Sequence, residues 1–281
     1  MKTIQIFTLF LVAVLLLSFS ESKQTEKWQK LFDGKSLAGW DKYIGPDLDD
    51  KGKPLTGTPI GLNNDPKQVF TVVNQEGENM IRISGENWGA ITTKDNYENY
   101  HLHLQFKWGK LTWGQKKGKK MDSGLLYYST GKYGADYGAW MRSQEFQIEE
   151  GNCGDYWGVA GGIADIPVIK RADTAYVYSK EGLMTTFKEG TKVGRRCIKN
   201  GDAEKPSGEW NSIDLYCLGN TSIHVVNGKV MMVLYHNRQL DNGQEIPSAK
   251  GKIQIQSEGA EVFYKDIKLT NINKLPAQLV N

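Results

Sequence analysis

The sequence has few cysteines and almost no excess of charge. Its three cysteines, Cys153, Cys197 and Cys217, form no C-x-x-C pair, which argues against a zinc ribbon or a thioredoxin-like redox site. Their odd number leaves at least one of them unpaired within the chain. The 35 basic and 32 acidic residues nearly cancel, so no general electrostatic field favours a nucleic acid as partner.

Several common catalytic fingerprints are also missing. No G-x-S-x-G elbow occurs, and the nearest segment, Asp122-Ser123-Gly124, lacks the elbow pattern. Neither a phosphate-binding P-loop nor a dinucleotide-binding fingerprint is present. The sequence therefore gives no support for an elbow-type serine hydrolase, a P-loop NTPase or a Rossmann dehydrogenase.

Long apolar runs are rare, and the clearest one lies at the N-terminus. Lys2 precedes Ile6–Leu17, a run about as long as a signal-peptide core and shorter than a bilayer span, and the serine-rich segment 18–22 follows it. We expect residues 1–22 to be a cleaved signal peptide, with a retained anchor as the alternative. The mature protein, residues 23–281, would then be a single exported domain, periplasmic or extracellular, without membrane contact.

Short alternating runs separated by Gly, Asn and Asp are frequent, whereas helical periodicity is scarce. This pattern is typical of an all-β sandwich or barrel, and the regular polar faces favour antiparallel sheets. Apolar and polar side chains alternate throughout Tyr100–Trp108, and Asn227-Gly228 joins Ser222–Val226 to Val230–Leu234 as a strong hairpin signal. The other predicted strands are Val69–Val73, Met80–Ser84, Gly124–Tyr128, Gln144–Glu149, Trp210–Cys217, Lys252–Gln256 and Glu261–Leu269.

Two segments depart from this alternation. Gly151–Lys205 has Gly-rich turns and few alternating runs, so we expect an excursion of long loops, which are often functional on a rigid sandwich. The cluster Lys116, Lys117, Lys119 and Lys120 indicates a solvated loop, and the alternative is a contact for an acidic sugar or a surface.

One predicted strand carries polar groups at alternate positions. Side chains two residues apart share a strand face, so Glu145, Gln147 and Glu149 point one way while Phe146 and Ile148 point into the core. Same-face Cα atoms lie about 6.6 Å apart, a gap that long carboxylate side chains can bridge onto one sugar unit. Two carboxylates with an amide between them can perform acid–base chemistry on a glycoside. The simpler alternative is a solvated outer face.

Aromatic residues suited to stacking on sugars flank this strand, although each could equally belong to the core. Our candidate substrate-binding residues are Trp140, Arg142, Tyr156, Trp157 and Asp122.

The histidines offer further bases or ligands. His101 and His103, at alternate positions of Tyr100–Trp108, could bind a metal or act as bases, although strand histidines are more often structural. His236 follows Val230–Leu234 near a predicted loop and could act as a base. We expect His224 to pack or hydrogen-bond within its strand.

Segments along the chain, taken in order, resemble motifs of the 3-keto-disaccharide hydrolase family. Leu31–Trp40 resembles the opening L-F-D-G-K-S-L-x-G-W, and Glu145-Phe146-Gln147 resembles the E-Y-Q strand. Asp122 stands where the family usually has Asn, and Lys265 where it usually has Arg. The other matching segments are Asp122–Leu125, Gly208–Asn211, Asn227-Gly228, Gly251–Gln256 and Val262–Ile267.

The resemblance covers about residues 28–272 and implies both a fold and an activity. The fold is a concanavalin-like jelly roll, a sandwich of two antiparallel sheets with long loops, of the lectin and glucanase type. The activity is hydrolysis or lysis of glycosides oxidised at C3, with a carbohydrate as ligand. A C3 ketone acidifies the C2 hydrogen, so a base can start elimination of the C1 substituent, after which water adds.

Roles for the candidate residues follow from this chemistry. Glu145 is the expected base or metal ligand, Gln147 a donor to the sugar, and His236 or Glu149 a second proton-transfer group. A divalent metal is a candidate cofactor, with His103 and Glu145 as candidate ligands.

Two other functions stay open. The segment 145–149 is similar to the E-x-D-x-E strand of laminarinase- and lichenase-type jelly rolls, where Glu145 would be the nucleophile and Glu149 the general acid, although Gln147 replaces Asp. A non-catalytic carbohydrate-binding module on the same fold would depend on the aromatic residues instead.

Overall fold

The computed structural model describes residues 27–75, 77–172 and 175–280, and the predicted signal peptide, residues 1–22, lies outside them. A short 3₁₀ turn spans Gly114–Lys116 and a short helix, α1, spans Ala277–Val280. No helix in the described part of the chain is long and apolar enough to cross a bilayer. The strands are β1 Gln29–Lys30, β2 Trp40–Ile44, β3 Gly61–Leu62, β4 Phe70–Gln75, β5 Glu78–Ile83, β6 Gly89–Thr93, β7 Tyr97–Glu98, β8 Tyr100–Thr112, β9 Asp122–Thr130, β10 Arg142–Glu149, β11 Tyr156–Val159, β12 Gly162–Ala172, β13 Ala175–Tyr178, β14 Leu183–Phe187, β15 Arg196–Cys197, β16 Asn211–Leu218, β17 Thr221–Val226, β18 Lys229–Asp241, β19 Gln244–Pro247, β20 Lys250–Ser257 and β21 Ala260–Asn271.

These strands form two sheets. The twelve-stranded sheet has the order β13-β12-β18-β17-β16-β8-β21-β5-β4, with β1, β14 and β19 pairing beside this path. The nine-stranded sheet has the order β15-β11-β10-β9-β20-β6-β2-β3, with β7 paired to β20. The ladders around the sheet centres are antiparallel, and their neighbours are distant in sequence, as where β8 lies between β16 and β21. The predicted all-β, two-sheet antiparallel jelly-roll sandwich is confirmed.

The core lies between the sheets and is built from their alternating apolar side chains. Leu102, Leu104 and Phe106 of β8 are fully buried in the same cluster as Phe146 and Ile148 of β10. Because successive strand residues point to opposite faces, Glu145, Gln147 and Glu149 of β10 lie on the face turned away from this core. That outer face carries the candidate site.

The segment Gly151–Lys205, predicted as long loops, contains the five strands β11 to β15 instead. Its longest strand, β12, is buried over most of Ile163–Val168, so its sequence does not alternate between apolar and polar residues. Pro167 within β12 also argues against a strand in the sequence, since proline is usually confined to edge strands or bulges. The excursion extends both sheets, and β11 and β15 form one side of the candidate site.

The three cysteines are structural. Cys153, Cys197 and Cys217 are all buried and form no disulfide. Burial raises the pKa of each thiol, that of Cys217 to about 12. Buried thiols of this kind are unreactive, and they fill the core as small apolar groups.

A buried histidine ties β10 to the other sheet. The His224 ring stacks on Phe146 at 4.2 Å, and its Nδ1 lies 3.3 Å from the Gly154 carbonyl oxygen. Because a carbonyl can only accept, Nδ1 donates there and Nε2 accepts from the Tyr127 hydroxyl at 3.0 Å. The expectation that His224 packs and hydrogen-bonds is confirmed. These contacts fix both β10 and the chain that follows it.

This burial predicts an acid-sensitive fold. Burial lowers the pKa of His224 to about 3, so the folded protein keeps the ring neutral where the unfolded chain, with an ordinary pKa of 6.5, takes up a proton. The stabilisation is complete above pH 6.5 and is lost progressively as the pH falls towards 3. Compared with a His224→Asn variant, the wild-type free energy of unfolding should fall by about 1.4 kcal/mol more per pH unit between pH 6 and 4. Urea unfolding at a series of pH values measures both slopes, and parallel slopes would contradict the prediction.

Candidate active site on the nine-stranded sheet

A cavity of about 270 Å³ lies on the outer face of the nine-stranded sheet. As the alternation predicts, β10 brings Glu145, Gln147 and Glu149 together, and all three line this cavity. Phe146 and Ile148, between them in sequence, are fully buried in the core. The strand geometry expected from the sequence therefore holds at the central element of the site.

The strands beside β10 contribute to the same face. Asp122 at the start of β9 pairs with Glu149, and Trp157 of β11 pairs with Glu145. Both partner residues line the cavity, and so does Trp140, which precedes β10. Three of the predicted substrate-binding residues thus surround the predicted carboxylates.

A glycine makes room for the central carboxyl group. A Cβ atom built on Gly124 of β9 would overlap the side-chain Oε1 atoms of both Glu145 and Gln256. Those two side chains therefore converge over Gly124 from the strands on its two sides, β10 and β20. The glycine is required by close approach, because its backbone is not left-handed.

Tyr137, Trp140 and Trp157 contribute aromatic rings to the wall of the cavity, and Trp88 packs against the first two. Trp88 and Trp140 stack with centroids 5.3 Å apart, and Tyr137 meets them edge-on at 5.6 Å and 5.9 Å. The Arg195 guanidinium carbon lies 5.6 Å from the centroid of Trp157 and 5.9 Å from that of Tyr137. Flat rings beside polar groups suit the apolar faces and the hydroxyl rims of sugars.

Two arginines of the excursion are held at the cavity by acidic partners. The Arg195 Nη1 atom lies 2.8 Å from Asp136 Oδ2, and the Arg196 Nη2 atom lies 2.7 Å from Oδ2 of the fully buried Asp155. These ion pairs fix basic groups next to the carboxyl groups of β10.

Lys116 neutralises one end of the cavity. Its Nζ atom bonds Asp122 Oδ2 and lies 3.2 Å from Glu149 Oε1, while the Asn152 side chain donates to the other oxygen of Glu149. Burial alone would raise the pKa of Glu149, but the Asn152 hydrogen bond and the Lys116 charge outweigh it and lower that pKa. Glu149 is therefore ionised at neutral pH.

Asp122, Glu145 and Glu258, by contrast, have raised pKa values. Burial raises the pKa of Asp122 to about 7, against the Lys116 charge and with help from the Glu149 charge. Burial, reinforced by the charge of Asp122, raises the pKa of Glu145 well above its ordinary value. Burial and the charges of Asp122 and Glu145 do the same for Glu258. The cavity thus holds protonated and ionised carboxyl groups side by side, a pattern typical of acid–base sites.

Some residues of the cavity have a buried polar atom without a partner. Asp122 Oδ1, Gln256 Oε1 and Trp157 Nε1 are buried and have no hydrogen-bond partner among the described residues, and all three side chains line the cavity. Buried polar groups are nearly always paired in native proteins. Two free acceptors and one free donor around one cavity indicate a ligand that offers both kinds of group.

Three of the predicted catalytic and substrate-binding residues do not line the cavity. His236 lies on β18 of the other sheet, 67% exposed, with Nδ1 3.0 Å from Asp165 Oδ2. Arg142 pairs with Asp241 at 2.9 Å, outside the cavity. Tyr156 alternates with its neighbour in β11, so it points into the core, where its hydroxyl donates to Gln144.

The predicted metal ligands are not neighbours. His103 lies on the outer face of the twelve-stranded sheet with Nδ1 2.9 Å from Asp214 Oδ1, whereas Glu145 lies on the opposite side of the sandwich. Hydrogen bonds from His101 and His103 outweigh burial and lower the pKa of Asp214 to about 2. Within residues 27–75, 77–172 and 175–280, no three His, Cys, Asp or Glu side chains are placed to hold a metal ion. His103 and Glu145 therefore do not form a common metal site.

Sequence reasoning missed other residues of the cavity. Lys116 was expected in a solvated loop, but the 3₁₀ turn Gly114–Lys116 folds it onto the carboxyl groups, while the other lysines of its cluster are exposed. Gln256 carried a signal, since it ends a segment that resembles the family. Glu258 carried none, because it lies in the turn between β20 and β21, outside any alternating run.

The close approach at Gly124 can be tested by adding one methyl group. We expect Gly124→Ala to lower the free energy of unfolding by roughly 1–3 kcal/mol, as overpacking does in cores. Gly57→Ala is the matched control, since its Cβ would meet nothing within 4 Å, and it should change stability by less than about 0.5 kcal/mol. Chemical denaturation compares the two, and equal stabilities would show that Glu145 and Gln256 can move away from residue 124.

The 3-keto-alpha-glucoside-1,2-lyase-like domain matches residues 27–270. No curated relative matches the chain. A candidate glycosyl hydrolase from Parabacteroides distasonis is similar in structure, with 19% identity over 88% of this chain and 100% of that chain and a TM-score of 0.49.

Two further solved structures are more distant. A β-glucanase from Bacillus licheniformis has 10% identity over 88% of this chain and 98% of its own, with a TM-score of 0.39. The carbohydrate binding module CBM66 from Bacillus subtilis has 8% identity over 72% and 92%, with a TM-score of 0.39. The sequence match, which spans most of the chain, confirms the resemblance found in the motifs: this protein belongs to the family of 3-keto-alpha-glucoside-1,2-lyase-like domains.

Proposed function

We propose that this protein cleaves the glycosidic bond of sugars oxidised at C3, by elimination followed by hydration. The family supports a glycosidase-type enzyme with a carbohydrate ligand. The observation that carries the finer proposal is the cluster of carboxyl groups with divergent pKa values in one aromatic-walled cavity. Elimination next to a ketone requires both a base and an acid within reach of one sugar ring.

The reaction has two stages whose atoms balance. A base removes the C2 proton, the electron pair forms an enolate with the C3 carbonyl, and collapse of the enolate expels the C1 oxygen as an alcohol. The product is an enone with a C1–C2 double bond. Water then adds at C1 and a proton returns to C2, so the sum of the stages is hydrolysis.

Asp122 is the group best suited to remove the C2 proton. Its Oδ2 atom is held by Lys116, whereas its Oδ1 atom is buried and has no hydrogen-bond partner among the described residues. Its pKa of about 7 lies near the pH at which a general base works best. Asp122 therefore takes the role that sequence reasoning gave to Glu145.

Glu145 keeps a proton-transfer role of a different kind. A carboxyl group whose pKa is well above its ordinary value carries a proton at neutral pH and can donate it to the enolate oxygen at C3. Gln147 can assist, because its Oε1 atom accepts from the Ile148 amide and leaves the side-chain N–H groups to donate. Glu149, which is ionised, holds Lys116 and Asn152 in place.

Product analysis with matched substrates tests the proposal. Wild-type protein should release the aglycone from 3-keto glucosides and leave unmodified glucosides and β-glucans intact. Glu145→Gln should lower kcat at least about 100-fold with little change in affinity, because it removes a proton donor and keeps the shape. Glu150→Gln, five residues further along the chain and outside the cavity, is the control.

Each alternative function predicts another result. A laminarinase-like glycosidase would cleave unmodified β-glucan, and a binding module would bind sugar without any turnover. Either outcome, with every 3-keto glycoside left intact, refutes the proposal.

The pH dependence of kcat/KM tests whether Asp122 is the base. The value of kcat/KM should rise as Asp122 loses its proton, reaching half its maximum near pH 7, the pKa of Asp122. The Lys116 charge lowers that pKa, so Lys116→Met should move this limb to higher pH. Lys117→Met, at an exposed position of the same loop, should leave the limb in place. A limb that does not move in Lys116→Met would exclude Asp122 as the base.

A further inference from the structure

A second cavity of about 480 Å³ adjoins the first one. The two cavities share Lys116, Tyr137 and Glu258 as lining residues, so they meet at these side chains. A ligand longer than one sugar ring could therefore extend from one cavity into the other. The bond that joins its two parts would then lie near the shared residues.

We infer that the second cavity receives the leaving group, and that Glu258, at the junction of the two cavities, donates the proton to the departing glycosidic oxygen. This inference rests on the proposed function and adds the acid that the elimination still lacks. Asp122 and Glu145 serve the C2 and C3 side of the ring, whereas the bond to be broken is at C1.

The position of Glu258 fits this role. It lies in the turn between β20 and β21, where its carboxyl group interacts electrostatically with Asp122, Glu145 and Lys116. The ammonium of Lys116 is already bonded to Asp122 and close to Glu149. Burial first, and the neighbouring negative charges second, raise the pKa of Glu258, which therefore keeps its proton at neutral pH.

The walls of the second cavity suit a ring-shaped leaving group. Trp88 lines it and stacks at 5.3 Å on Trp140, which lines the first cavity, so one aromatic wall passes across the junction. Leu48 and Pro54 add apolar surface. Tyr137 lines both cavities, and its left-handed backbone, with φ of 47°, is a costly conformation of the kind retained at binding sites.

The proton transfers close into a cycle. As the C1–O bond breaks, its electron pair stays on the oxygen, which takes the Glu258 proton and leaves as an alcohol. The resulting Glu258 carboxylate then accepts a proton from the water that adds at C1. Asp122 returns its proton to C2, and the proton that Glu145 gives to the C3 oxygen returns to Glu145 as the C3 ketone re-forms. All three carboxyl groups thus regain their starting states and no other reactant is consumed.

Leaving-group dependence tests Glu258 directly. A methyl or glucosyl 3-keto glucoside needs a proton on the departing oxygen, whereas a p-nitrophenyl 3-keto glucoside departs as a stable anion. Glu258→Gln should lower kcat/KM roughly 100-fold or more on the first kind and less than about 5-fold on the second. Glu209→Gln, at an exposed position, should behave as wild type on both.

The outcomes separate the two proposals. Wild-type protein that turns over no 3-keto glycoside refutes the proposed function. Turnover by wild type combined with an equal loss on both substrates, or no loss on either, overturns the role of Glu258. Should Glu258→Gln fail to fold, Glu258→Asp should retain a partial acid function and the same selective loss.

A substitution in the second cavity tests whether this cavity receives the leaving group. Trp88→Ala should raise KM for the 3-keto disaccharide at least about 5-fold more than KM for the methyl 3-keto glucoside, since only the disaccharide reaches Trp88. Equal changes for the two substrates would place the second ring elsewhere.

Discussion

The candidate site depends on the burial of several carboxyl groups close together. Too few positively charged side chains lie among them to stabilise all of them in the ionised form. Burial raises the pKa of Asp122, Glu145 and Glu258, and the charge of Asp122 raises the pKa of the other two further, while the Lys116 charge is shared between Asp122 and Glu149. Like charges in a poorly solvated site cannot all be present, so protons are retained on some groups and lost from others. The same residue type can thereby supply both acid and base at one pH.

Strand geometry makes this crowding tolerable. The inner face of β10 is anchored by Phe146, which stacks on His224, and by Ile148 in the core. Burying carboxyl groups costs stability unless they are paired or protonated, and such an anchored strand can hold them in place. Gly124, in the neighbouring strand, leaves the space that Glu145 occupies. Core and site are therefore two faces of one sheet, and neither could shift register without moving the other.

The alternation of apolar and polar residues was the sequence feature that predicted the structure most reliably. It predicted the inward and outward faces of β8 and β10, and with them the meeting of Glu145, Gln147 and Glu149. Residues whose place depends on sheet order could not be found this way. Glu258 reaches the cavity only because β20 pairs with β9, and His236 misses it because β18 belongs to the other sheet. The strands of Gly151–Lys205 were missed because a strand buried on both faces does not alternate between apolar and polar residues. Without these strands, the position of Arg195 at the cavity could not be predicted either.

The difference in pKa between the carboxyl groups of the cavity bears on whether the site catalyses a reaction or only binds a sugar. Binding a neutral sugar needs donors, acceptors and aromatic faces, which Gln147, Trp140 and Trp157 already supply. It gains nothing from carboxyl groups that must be buried and kept protonated at a cost in folding free energy. Proton transfer does require them, because a general base works best when its pKa lies near the working pH, as that of Asp122 does, and a general acid must carry a proton, as Glu145 does. The presence of Asp122 and Glu145 beside the ionised Glu149 therefore favours an enzyme over a lectin on the same fold.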